Sequence, residues 1–122
     1  MPEVQMGLDF KVAPREQDHA WFNLLEPKIV ADFWAFHAKY PQVYTLFHKY
    51  AAEAKRAGRT RFGIGMIAER VRWYMSVETT GTADEDFKIN NNLRSCYARL
   101  LMIRTPEFEG LFELRSSTVS ED

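Results

Sequence analysis

Seven consecutive residues, Asp86-Phe87-Lys88-Ile89-Asn90-Asn91-Asn92, carry the densest chemistry in this 122-residue sequence. Asparagine is a weak helix former with no use in an apolar core. Three in a row therefore build a capped turn or present amides to a ligand, and capping accounts for one or two of them. An asparagine amide can bond adenine through two atoms, while arginine and lysine bind phosphate or guanine. With two arginines following, Lys88, Asn91, Asn92, Arg94 and Arg99 are candidates for a nucleic-acid-facing helix start, where the helix N-terminus adds its own attraction for phosphate. The plainer alternative is a structural turn beside solvated arginines.

Asp86-Phe87-Lys88 also fits the acid-x-Lys half of a metal-dependent nuclease site, with Glu78 as a second carboxylate across a hairpin and Lys88 beside the attacked phosphate. The tripeptide is common by chance and helical surroundings are wrong for that fold, so no residue is assigned a catalytic role. His19, His37 and His48 never fall at a two-histidine metal spacing, and Cys96 is the only cysteine, which excludes an internal disulfide and a thiolate zinc cluster. No metal and no cofactor is expected. Cys96 falls on an apolar stripe, where a small buried residue explains it better than a nucleophile.

The formal net charge of −1 hides an uneven distribution. Between Lys49 and Arg104 eleven basic residues stand against six acidic ones, whereas the flanks hold five and eleven. Local potential, not net charge, attracts a polyanion. The middle segment is thus expected to present a basic face to nucleic acid, DNA more than RNA, which adds Arg59, Arg61, Arg70 and Arg72 to the candidates. For any one of these arginines alone, a solvated helix face is the ordinary explanation. No apolar run is long enough to span a bilayer. The first ten residues carry Glu3 and Asp9 where a signal peptide needs lysines and then an apolar stretch, and a cytoplasmic location without membrane association is expected.

These candidates must be positioned by helices. With 46% hydrophobic residues and 17 aromatics, the chain can build a core without disulfides. Tyr40-Pro41 separates two helices, because proline disfavours helical geometry in its predecessor and lacks an N–H. The first, about Pro27 to Lys39, turns Ile29, Val30, Phe33, Trp34 and His37 to one side. The second, about Pro41 to Ala57, does the same with Val43, Phe47, Tyr50, Ala51 and Ala54, and stops at Gly58. An earlier helix is predicted over about Arg15 to Leu25. A third core helix, about Gly63 to Ser76, buries Ile64, Ile67, Ala68, Val71, Tyr74 and Met75. Its opposite face carries Glu69, Arg70, Arg72 and Trp73, and a neighbouring loop is expected to cover the tryptophan.

Periodicity then lapses. Val77-Glu78-Thr79 and Phe87-Lys88-Ile89 either pair as a hairpin or form a loop. The asparagines cap a fourth core helix, ending near Ile103, with Leu93, Cys96, Tyr97, Leu100 and Leu101 inward and Arg94, Ser95 and Arg99 outward. Thr105-Pro106-Glu107 starts a last short helix to about Leu114. A standard helix-turn-helix is not claimed, since the dozen residues between the third and fourth core helices far exceed its turn. The expected architecture is all-α: a single domain over 1–115 of about five helices, with an optional two-stranded ribbon, and a disordered tail over 116–122.

The Asp86–Asn92 run, Tyr97-Ala98-Arg99 and the Pro106-Glu107-Phe108-Glu109-Gly110-Leu111-Phe112 end together resemble a family of small bacterial and phage proteins without an established activity. The resemblance spans about Val43 to Arg115. Its pattern commonly has a tyrosine before Tyr-Ala-Arg, where this chain has Cys96, which argues further against a catalytic cysteine. The resemblance implies a phage or prophage setting and no particular chemistry. The leading expectation is a non-enzymatic, nucleic-acid-binding accessory protein. The rival is a protein-binding inhibitor of a host factor, of the anti-defence or host-takeover kind, acting through its acidic flanks or exposed aromatics.

Overall fold

A computed structural model describes residues 22, 24–78 and 87–113. It is mainly helical: α1 (Pro27–Lys39), α2 (Pro41–Arg56), α3 (Ile64–Trp73), which continues into a π-helical turn (Tyr74–Glu78), and α4 (Asn91–Arg104), followed by one 3-10 turn (Pro106–Phe108). Tyr40 serves both of the first two helices. Its N–H donates to the Phe36 carbonyl at 2.9 Å, its carbonyl accepts from Val43 at 3.0 Å, and Pro41 opens α2 at a position that needs no donor. The far end of α2 closes in a Schellman motif. Arg59 donates to Ala54 and Gly58 to Lys55, with Gly58 at φ 93, a left-handed conformation that a side chain would strain.

The core is organised around α4, whose Leu93, Ser95, Cys96, Tyr97, Ala98, Arg99, Leu100 and Leu101 are all buried, so the helix is covered on more than its apolar stripe. Tyr97 stacks on Phe47 at 4.6 Å between centroids and meets Phe33 edge-on at 4.8 Å. His37 is buried as well, its ring parallel to Phe33. Rings at these separations gain about 0.5–1.5 kcal/mol per pair beyond their burial, which explains how a small domain holds together without covalent staples.

Several expectations need correction. The last helix is a single 3-10 turn: Gly110 takes φ 77 and ends it, after which Phe112 forms a parallel bridge with Phe62 and the Phe62 N–H donates to Leu111 at 2.8 Å. Val77 and Glu78 belong to the π turn, not to a strand, and Phe87–Ile89 has no strand partner among the described residues. The physical reason is that arginines take the place of a partner strand. Arg72 Nε donates to the Phe87 carbonyl at 3.4 Å and Arg94 Nε to the Ile89 carbonyl at 2.7 Å, while the rings and chains of Phe87 and Ile89 enter the core. The helix predicted over Arg15 to Leu25 falls mostly outside the described residues; of its apolar residues, Phe22 and Leu25 are described and buried. Thr79, Asp86 and the segment 116–122 also lie outside them.

Candidate functional site

The nine residues proposed from sequence to touch nucleic acid differ in exposure and in partners. Arg99 is 4% exposed; its guanidinium donates to Ser95 Oγ one turn back, and burial works against its charge. The outward placement of Ser95 and Arg99 was therefore wrong. An amphipathic reading assumes one wet side, and α4 is packed on both.

Arg94 and Arg72 are committed to structure. Both pair with Glu69, Arg72 at 3.2 Å, while their Nε atoms hold the 87–89 segment. Hydrogen bonding from Arg94, and then the charges of Arg94 and Arg72, hold the Glu69 carboxyl below the usual carboxylate range, against a smaller opposing effect of burial. Arg70 pairs with Glu78 at 3.2 Å and lies over the Tyr50 ring at 4.8 Å. Glu78, the second carboxylate of the nuclease alternative, is thus engaged by an arginine, and Asp86 lies outside the described residues. Arg61 sits 3.5 Å from Glu113.

Arg59 leans on Phe62, and Lys88 is exposed; neither meets an acidic partner among the described residues. Of the asparagines, Asn90 is the cap, its Oδ1 accepting from the Leu93 N–H at 2.8 Å, and Asn91 and Asn92 remain exposed. Asn90 and Asn92 border an open cleft of about 320 Å³ against Ile29, Asp32 and Phe36 of α1. Asp32 places a carboxylate there, paired with Lys28, which disfavours a phosphate group beside the amides.

The surface that stands out was not among the candidates. Among the described residues, the large apolar side chains left exposed are Leu24, Met66 (67%), Trp73 (56%) and Val77 (58%). The last three share one stripe of α3. Trp73 is two helical turns beyond Met66, and Val77 follows one turn later in the π-helical turn that extends α3. No described loop covers Trp73, contrary to expectation. Beside this stripe the charges are mostly paired, Arg70 with Glu78, and Arg72 and Arg94 sharing Glu69. Sequence reasoning missed it by ending the third core helix near Ser76 and leaving Val77 to a hairpin or a loop. The signal was present as a second apolar periodicity, Met66, Trp73 and Val77, opposite Ile67, Val71 and Met75.

Cys96 is buried, and desolvation pushes its thiol up to about 12, so it is not a poised nucleophile. Fold and surface together define a small, mainly helical domain with an apolar stripe on one outer helix. Among the described residues no helix is long and apolar enough to cross a membrane. Compared with known proteins, the chain matches no family model, no curated protein and no solved structure.

Proposed function

We propose that this protein is a non-catalytic docking module that engages another polypeptide through the outer face of α3. The observation that carries the reading is the stripe Met66, Trp73 and Val77, each more than half exposed on one helical face. Single exposed apolar residues are ordinary; a contiguous row including tryptophan marks an interaction surface. Anchors at these intervals are how an amphipathic helix face seats against a partner, and tryptophan is enriched among residues that dominate binding energy. The charges alongside are largely paired, with Arg72 and Arg94 sharing Glu69 and Arg70 on Glu78, which leaves only a small positive excess for a polyanion and favours a protein over nucleic acid. In the phage-type setting that the sequence resembles, an inhibitor or accessory factor acting by occupation of a host surface belongs to this class.

A second reading keeps a narrower nucleic-acid interface. It is favoured by Lys55, Arg56 and Arg59, exposed together at the end of α2, and by Lys88. Affinity capture from a bacterial lysate, with and without nuclease, separates the two. Nuclease-resistant capture of a protein that Trp73→Ala abolishes is the expected result. Capture that nuclease removes, with a steep loss on raising salt, would favour the second reading.

A further inference from the structure

We infer that the α3 face accepts a second copy of this chain, in an antiparallel, two-fold arrangement that places Arg70 of each copy on Trp73 of the other. This names the occupant of the docking face and rests on that reading. Met66, Arg70, Trp73 and Val77 follow one another at intervals of four, three and four residues. The order of intervals is the same from either end. An antiparallel copy therefore sets Met66 against Val77 and Arg70 against Trp73, twice over, which is the self-complementarity that a closed two-fold interface requires.

The central pair is chemically matched. A guanidinium is planar, so one face can rest on a ring while the other remains for a second ring. Arg70 lies over the Tyr50 ring at 4.8 Å, and its side chain is still half exposed. Trp73 of the second copy would cover that remaining face, making a Tyr50–Arg70–Trp73 sandwich on each side of the axis. Most of the charge beside the stripe is paired within each copy, Arg70 with Glu78 and Arg72 with a Glu69 that Arg94 shares, so little repulsion opposes this approach. A single helix pair buries less than a standard interface, so the dimer is expected to be weak and to dissociate on dilution.

Register is tested with Met66→Cys and Val77→Cys, two exposed positions. The native Cys96 is buried and does not interfere. In the proposed arrangement residue 66 meets residue 77 of the other copy, whereas two copies of residue 66 lie roughly 16 Å apart along the axis at 1.5 Å per residue, beyond the Cα separation of about 7 Å that a disulfide tolerates. Mild oxidation of the two variants mixed at high concentration should give a mixed disulfide-linked dimer, while neither variant alone cross-links. Sedimentation should show a wild-type dimer that Trp73→Ala converts to monomer with an unchanged melting temperature. Cross-linking of either variant to itself, or a wild-type chain monomeric at every concentration, overturns the inference. If that monomer still loses its lysate partner on Trp73→Ala, the docking reading survives alone. If Trp73→Ala alters neither association, both fail, and retention of a single-stranded oligonucleotide that depends on Trp73 would overturn both in favour of a base-stacking platform.

Discussion

Tyr97→Phe isolates one atom in the middle of the core. The Tyr97 ring is fully buried, and its hydroxyl has no hydrogen-bond partner among the described residues. Burial accordingly pushes its pKa far up. A buried hydroxyl left without a partner costs about 1–3 kcal/mol, because water that solvated it in the unfolded chain is lost and nothing replaces it. Phenylalanine keeps the stack on Phe47 and the edge contact to Phe33. It leaves a void the size of one oxygen, which gives back up to about 1 kcal/mol. The net expectation is a gain of about 1 kcal/mol, or a rise in Tm of about 3–6 °C for a domain of this size. Thermal melts by circular dichroism, with urea titrations showing an unchanged slope, measure it. A variant that is destabilised by 1 kcal/mol or more, on the order of a lost hydrogen bond, would refute the reasoning and show that the hydroxyl is satisfied in the folded protein.

Glu69→Gln addresses the Arg72–Glu69–Arg94 buckle. Because the folded carboxyl is held below its ordinary value, its stabilisation is present above the unfolded pKa and is lost as pH falls through the folded one. Wild type should therefore lose an increment between pH 5 and pH 3 that the variant lacks, about 1 kcal/mol or less since the pair is half exposed and screened; urea midpoints at the two pH values check it. Phe47→Ala, which removes the ring under Tyr97, should cost about 3–5 kcal/mol in urea denaturation. Cys96 should resist an aromatic disulfide reagent in the native protein and react fully in urea, since its thiol is buried and pushed up to about 12.

The helical frame was legible because its signals are local. Proline at 41, glycine at 58 and the 3.6-residue recurrence of apolar residues on α1, α2 and the inner side of α3 act within a few residues of where they stand. The candidate surface was less legible, because exposure is decided by what packs against a helix from elsewhere. Arg99 looked outward on a helical wheel, yet α4 lies at the centre of the core and buries it. Arg72 and Arg94 looked like solvated cations, yet each donates to a carbonyl distant in sequence or folded back across the turn before α4. Trp73 carried the opposite error: an expected cover is absent among the described loops, and the apolar stripe extends to Val77 because the helical run continues through a π turn to Glu78 instead of stopping near Ser76.

Oxidative footprinting of methionine tests the docking face most directly. Met66 is two-thirds exposed on that face, and Met75, on the inner side of the same helical run, is buried and serves as an internal control. Peroxide should convert Met66 to its sulfoxide at nearly the solvent rate in the dilute monomer and leave Met75 largely unreacted. In the assembled state, whether formed by the chain alone at high concentration or with a captured partner, Met66 should be protected several-fold while Met75 is unchanged. Equal Met66 oxidation in the free and assembled states would contradict the claim that α3 is the face through which this protein acts.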